Sequence, residues 1–315
     1  MNQEHQHYVP KSYLRNFCID ETEKVHRSKY ILHQNKWLIS PPKHINQICY
    51  GQDFYDILNE IAVGNDIDID VVERKAFWYE KSYLKDLIHG VDHQSFDVDQ
   101  IDSIAHFYLS MTARNPVFRN ALDEKKMEGL IIEEFELIEK KMQVKMENIQ
   151  NEKFALYFKD QIKIARKKLI EQNSKAMIHN TTLLNQHFGN SPTFDSLVAK
   201  VSTYKKLFIK INDPNDFFIT SNSPGFSIDT SNNVFGFKFK DDVAHYMPIS
   251  SKVSIALMNP AIFMENPDIA IVNASKSLIS YINKNTLVSN KNEIYCSNKE
   301  QIEELINANN RPYKK

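Results

Sequence analysis

Residues 124–153 read EKKMEGLIIEEFELIEKKMQVKMENIQNEK, inside a run from Val117 to about His187 that has no proline and one glycine. Glu, Lys, Leu, Ile and Met dominate it, and straight-chain residues lose little rotamer freedom in a helix. Its opposite charges are spaced for i,i+4 pairing on solvated faces. The spacing predicts two long helices with a break near 148–152. The heptads do not persist, so a solvated face is preferred to a coiled-coil seam. Upstream, Asn115-Pro116 interrupts a helix predicted over Val98–Ala113, with Asp97 or Asp99 as N-cap. Val71, Val72, Ala76, Tyr79, Tyr83, Leu84, Leu87 and Ile88 trace a further apolar stripe at helical period.

Toward the N-terminus the period shortens. Tyr13, Leu14 and Phe17 suit a short helix over 11–17. Lys24 to Leu32 and Trp37 to Ser40 read as a hairpin across His33–Lys36, ended by Pro41-Pro42, and the strand pattern resumes over Gln52–Ile57. Beyond Ser191-Pro192 the chain reads as strands at Tyr204–Ile211, Phe217–Thr220, Gly225–Ile228, Val234–Phe239, Ala244–Ile249 and Val253–Met258. Helices are predicted over Ile269–Asn285 and Asn298–Ala308, with short edges at Leu287–Val288 and Glu293–Cys296. The expectation is an α+β fold: a small β-rich N-terminal part (1–62), a long helical middle (66–189) and an antiparallel β-rich C-terminal part (200–315), forming one integrated unit.

Composition narrows the function classes. The 315 residues are 42% hydrophobic and 25% charged, the profile of a folded globular chain. A net charge of −1 predicts no strong pull toward nucleic acid or membrane, although a neutral total can hide a basic face. Seven glycines argue against a glycine-rich phosphate loop. Cys18, Cys49 and Cys296 lack the spacing of a structural zinc site and suit a reducing compartment. The N-terminus has neither the basic start nor the apolar stretch of a secretion signal, and no run approaches the ~18 apolar residues of a membrane span. The expectation is a cytoplasmic protein.

Four segments carry candidate chemistry. In His5-Gln6-His7-Tyr8-Val9-Pro10, residues i and i+2 of an extended chain share a face, so both histidines can approach one metal or phosphate. A histidine, an apolar residue and a proline also resemble, loosely, the first strand of the HNH-type nuclease finger. There a histidine activates water while a divalent metal holds the phosphate. Asn35 with His44 fits that motif's later residues poorly, and its bracketing cysteines are absent. Arg15-Asn16 closes the small helix, where Arg15 can grip a phosphate or pair with Asp53 or Asp56. Arg114-Asn115-Pro116-Val117-Phe118-Arg119 sets two arginines about a proline break, as an anion site or as cations at a helix end. Thr220-Ser221-Asn222-Ser223-Pro224 runs a strand into a polar turn whose N–H groups can cup an anion. A nucleophilic serine there would need a base, and nothing in the sequence places His245 nearby. Asp70, Glu73 and Glu80 with Asp53 could share an ion, but an acidic helix start is the plainer reading.

These segments are also where the chain looks familiar. His5 to Phe17 (HQHYVPKSYLRNF) closely resembles the opening signature, approximately HHYVPxxYLRxF, of the bacterial family called domain of unknown function 4238. The resemblance continues through Ser40-Pro41-Pro42-Lys43-His44-Ile45 and Asp53-Phe54-Tyr55, then Arg114 to Arg119 (RTPxFR in the family). It extends to Phe218 to Pro224 (FITSDNPV), Met247-Pro248-Ile249-Ser250 (PLSP), Asn285 and Tyr295-Cys296-Ser297. Asn222 replaces the family's aspartate and Gly225 its valine, which weakens a mechanism built on a basic group in that turn. The resemblance implies no assigned activity. It marks the opening motif, the arginine break and the Thr220–Pro224 turn as recurring segments, which would form one polar pocket if they converge in space.

The leading expectation is a phosphodiester-directed, nuclease-like enzyme. His7 would be the base, Arg15 and Arg114 would hold phosphate, and Tyr8, Asn16, Arg119, Thr220, Ser221 and Asn222 would line the site. His5, His7 and Asp53 are candidate ligands of a divalent metal. The competing expectations are a non-catalytic module binding a nucleotide or a partner peptide, and an interaction scaffold on the long helices.

Overall fold

A computed structural model describes residues 5–52, 54–56, 72, 82–121, 192–236, 242–262, 268–290 and 292–309, with scattered helical positions between 132 and 183. Helices and sheets are both present, as expected of an α+β chain. The helix break expected near 148–152, and Asp53, Asp70, Glu73 and Glu80, lie outside the described residues.

The chain opens with strand β1 (His5–His7), and Pro10 then precedes helix α1 (Lys11–Arg15). The hairpin follows as β2 (Lys24–Ile31) and β3 (Lys36–His44), closed by a 3-10 turn ending at Asn35 with φ 49°. Asn tolerates this left-handed position better than most residues. Strand β3 runs through Pro41 and Pro42 rather than stopping at them. It is an edge strand, and its register shifts so that the prolines lie opposite His26 in a bulge between Val25↔Lys43 and Arg27↔Ser40. Proline lacks only an N–H, which an edge or a bulge does not need. Strand β4 (Tyr50–Gln52) pairs with β1, and the chain turns at Phe54-Tyr55 instead of continuing as the expected strand.

Helix α2 (Tyr83–His93) precedes α3 (Val98–Ala113), whose Asp97 and Gln100 form a reciprocal capping box. Ten of the sixteen α3 residues are buried, so this helix is core on most sides. Helix α4 (Pro116–Ala121) starts with its proline at the first helical position, where the missing N–H costs nothing. Helix α5 (Pro192–Ser202) uses the same device. Sequence periodicity assigned those residues only a boundary, because a proline reads equally well as a breaker.

The C-terminal strands are β5 (Lys205–Lys210), β6 (Thr220–Ser221), β7 (Phe226–Asp229), β8 (Val234–Phe235), β9 (Val243–Pro248), β10 (Val253–Met258) and β11 (Ile269–Asn273). Helix α6 (Lys276–Ser289), strand β12 (Glu293–Cys296) and helix α7 (Lys299–Asn309) follow. One six-stranded sheet runs β11-β5-β10-β9-β7-β8, and β11 lies parallel to β5, so the expected all-antiparallel pattern is broken at one edge. Ile269–Asn273 is a strand, not the start of the expected helix. It pairs with β5 at the sheet edge, and Ser275 then caps α6 by accepting from Leu278 N at 3.2 Å. Leu287 and Val288 belong to the last turn of α6 rather than to an edge strand.

The four-stranded sheet, ordered β3-β2-β12-β6, joins the N-terminal hairpin to two C-terminal strands. Strand β12 is central in it, not an edge. One face packs Trp37, Ile219, Ile294 and Cys296 against Leu287, Ile302 and Ile306 of the last two helices. The side chains on its opposite face meet the opening motif.

Candidate functional site

The break between α3 and α4 is built from its own side chains. Asn115 Oδ1 accepts from Val117 N at 2.8 Å and Phe118 N at 3.1 Å, capping α4. Its Nδ2 donates to Ser223 Oγ at 3.1 Å and so ties the break to the Thr220–Pro224 turn. Arg114 is fully buried. Its Nη2 donates to the His7 carbonyl at 2.6 Å and its Nε to Tyr55 Oη at 3.2 Å, while Tyr55 donates back to the Arg114 carbonyl at 2.9 Å. Arg119 lies over the Phe54 ring at 3.6 Å and donates to Phe54 O, Asn180 Oδ1 and His179 Nδ1 at 2.6, 2.8 and 3.1 Å. Burial lowers its pKa to about 10. Burial, then the Arg119 charge, lowers His179 to about 4. This neutral imidazole donates from Nε2 to Ala113 O at 2.6 Å. Both arginines therefore bind backbone carbonyls around the break.

His7 is also held locally. The residue is buried, its Nε2 lies 3.3 Å from Ile45 O, and its carbonyl is the acceptor for Arg114. Next to it, Gln6 bonds Asp56 Oδ1 and accepts from Tyr55 N. Arg15 turns elsewhere, to Glu23 Oε1 at 2.7 Å, with 54% of its side chain exposed. Neither Asp53 nor Asp56 is its partner in that pair. Asn16 donates to Ile249 O at 3.1 Å and accepts from Ser251 N at 2.9 Å, a splice between α1 and the six-stranded sheet. Among the described residues no group of three His, Cys, Asp or Glu side chains could hold a metal ion. The side chain of His5 and all of Asp53 lie outside them, so the expected metal set reduces here to His7.

Among the described residues, no histidine or carboxylate hydrogen-bonds the hydroxyls of the Thr220–Pro224 turn. Thr220 Oγ1 is 2.7 Å from Tyr13 Oη, which donates to Pro248 O at 2.5 Å. Ser221 Oγ donates to Ser223 O at 2.7 Å and accepts from Asn290 Nδ2 at 2.8 Å. His245 pairs instead with Ser227 at 2.8 Å, deep in the six-stranded sheet, where burial lowers its pKa to about 4. Gly225, at φ +88°, follows the turn, and a Cβ there would meet Tyr246 O at 3.0 Å. The residue standing for the family's valine is thus fixed by both its backbone angle and the close approach of β9.

One cluster does draw the marked segments together, on the face of the four-stranded sheet. Cross-strand register aligns Arg27 with Tyr295 and Thr220, and Lys29 with Glu293. Alternation puts Arg27, Lys29, Glu293 and Tyr295 on one face. Glu293 Oε2 accepts from Tyr295 Oη at 2.8 Å, while Oε1 lies 3.5 Å from Arg27 Nη1 and 3.9 Å from Lys29 Nζ. Asn222 is held to β12 through its N–H, donated to Glu293 O at 3.1 Å, and its side chain lies beside the half-buried Tyr8 hydroxyl. Burial first, then Cys49 and Glu293, raises the Tyr8 pKa, so the phenol stays protonated. Cys49 donates to Tyr295 Oη at 3.3 Å, and burial keeps it a thiol, not a nucleophile. Glu293 and Arg27 are 19% and 20% exposed and Lys29 55%, so the charged heads remain in reach of solvent. Arg27 Nε is buried with no hydrogen-bond partner.

The structure thus brings Tyr8, Thr220 and Asn222 to this face, ties Asn115 to the turn through Ser223, turns Ser221 to the opposite face with Asn290, and holds Arg114 behind them as a brace. Arg15 and Asn16 face other partners, and Arg119 serves the α3–α4 break. Arg27, Lys29, Glu293, Cys49 and Asn290 were not anticipated from sequence. The strand alternation that sets Arg27 and Lys29 on one side was legible, but the pairing of β2 with a strand 266 residues away from Arg27 at Glu293 was not.

The fold and site define an α+β protein with a braced opening motif and a half-buried cluster of two cations, one carboxylate, an amide and a phenol. The family described as "Protein of unknown function (DUF4238)" matches residues 5–300, and the chain belongs to that family. No curated protein and no solved structure matches it. Among the described residues no helix is long and apolar enough to cross a membrane.

Proposed function

We propose that the protein is a nucleotide-binding module that takes a phosphodiester-containing ligand at the Arg27–Lys29–Glu293–Asn222–Tyr8 cluster without cleaving it. What carries this reading is Arg27: a guanidinium four-fifths buried, with an unpartnered Nε and only a long contact from Nη1 to Glu293. Arginine satisfies a phosphate bidentately, and a charge-assisted bond is normally about 2.7–2.9 Å, so the 3.5 Å contact leaves donor capacity for a ligand. Lys29 adds a more exposed second cation, and Asn222 and Tyr8 offer an amide and a phenol for a base or sugar. Of the residues first considered for catalysis, His7 and Arg114 are occupied with backbone carbonyls and Arg15 with Glu23, which favours binding over hydrolysis. Three free thiols accord with a reducing, cytoplasmic setting.

Calorimetric titration with cyclic nucleotides and short oligonucleotides, alongside DNA and RNA incubation with Mg²⁺ or Mn²⁺, tests the reading. Binding that disappears in Arg27→Ala, with nucleic acid left intact, is expected. Strand cleavage that requires His7 would restore the nuclease-like alternative.

A further inference from the structure

Resting on that nucleotide-binding reading, we infer that Glu293 sets the charge of the ligand, making the site selective for an internal phosphodiester over a terminal phosphate. The carboxylate sits between the two cations, with its Oε1 facing both Arg27 Nη1 and Lys29 Nζ at 3.5 and 3.9 Å. It cannot swing away freely, because Oε2 accepts from Tyr295 Oη at 2.8 Å and its backbone N–H and carbonyl are both bonded to Asn222. Tyr295 is itself fully buried and bonded to Cys49, so the anchor is fixed.

Two cations and one fixed anion leave a local charge of +1. A phosphodiester carries one negative charge and neutralises this set. A phosphomonoester carries close to two at neutral pH, because its second pKa is about 6. Its additional charge would have no cation of its own and would face the Glu293 carboxylate. Two like charges about 5–6 Å apart in a largely buried site, at an effective dielectric between protein and water, repel enough for roughly a tenfold loss of affinity. Glutamine at 293 keeps the shape and the acceptor for Tyr295 and removes the charge, which raises the local balance to +2. The site would then suit the dianion.

The chemistry recognised is a monoanionic phosphodiester, supplied either by a cyclic nucleotide or by a nucleic-acid strand. The cleanest ligand pair is 5′-AMP and its methyl diester, which share base and sugar and differ by one charge. Titrations at pH 7.5 would use the full chain, Glu293→Gln and Arg27→Ala. Unmodified protein should bind the diester about tenfold more tightly than AMP. Glu293→Gln should bind AMP at least tenfold more tightly than the unmodified protein does, erasing or reversing the preference. Cyclic AMP and the dinucleotide ApA, run as further arms, separate the two sources by which binds more tightly. An equal diester-to-AMP ratio in unmodified protein and Glu293→Gln, or tighter AMP binding by unmodified protein, would overturn the role of Glu293 alone. Absence of binding by every ligand, or binding indifferent to Arg27→Ala, would overturn the nucleotide reading and this inference together.

Discussion

Arg114→Ala should unfold the protein far more readily than it alters ligand binding. The side chain is fully buried, and the substitution removes donors to the His7 carbonyl at 2.6 Å and to Tyr55 Oη at 3.2 Å. A buried acceptor stranded in this way costs about 1–3 kcal/mol, and the vacated volume adds a cavity cost. Loss of about 3–5 kcal/mol of unfolding free energy follows, in line with breaking other buried charged networks. In a chain of this size that lowers the midpoint by roughly 2–4 °C per kcal/mol, so about 6–20 °C in all. Urea titration followed by circular dichroism measures the free energy, and a thermal ramp the midpoint. Arg114→Lys offers one donor in place of the fork and should fall between the two. A variant with unchanged stability and abolished ligand binding would refute the role of brace and make Arg114 a ligand contact.

Stability should fall on acidification through the neutral-to-acid range. His179 and His245 have folded pKa values of about 4, below the ordinary value near 6.5, so their contribution is complete above pH 6.5 and is lost as pH drops toward 4. The effect is on the order of 2–3 kcal/mol for each of these deeply buried rings, and a His245→Gln variant should show a shallower slope in urea titrations run from pH 7.5 to 5. Asn222→Asp should weaken ligand binding about tenfold by setting a second carboxylate beside Glu293, measurable in the same titrations used for Arg27→Ala. Tyr13→Phe removes a hydroxyl that bridges Thr220 and Pro248, and should cost about 1–2 kcal/mol in unfolding with ligand affinity retained. Arg15→Ala, at an exposed pair with Glu23, should shift neither the unfolding midpoint nor ligand affinity.

Local patterns were readable wherever one chemical rule governed a segment. A cap at Asp97 or Asp99, the hairpin as far as Ser40 and most C-terminal strands follow from capping chemistry and alternation. Prolines misled in both directions. Pro192 starts a helix, while Pro41 and Pro42 ride inside an edge strand at a bulge, and neither setting is encoded near the proline itself. The candidate site was half legible for a related reason. Tyr8, Asn115 and Asn222 stood out in marked segments, but the charges that complete the cluster reside in β2 and β12, whose pairing is a tertiary event. His7 and Arg114 looked like reagents because sequence shows a side chain's chemistry and not its partner. Folding places the arginine on the histidine's own carbonyl.

The most direct test of the cluster as ligand site is an arginine Nε–H correlation spectrum recorded while a phosphodiester nucleotide is added. The Arg27 Nε resonance should move progressively to saturation, since that nitrogen is buried without a partner, while Arg114 and Arg119, bonded to carbonyls, should stay in place. Movement of Arg114 or Arg119 with Arg27 unchanged would put the ligand at the helix break and contradict the placement at the sheet face.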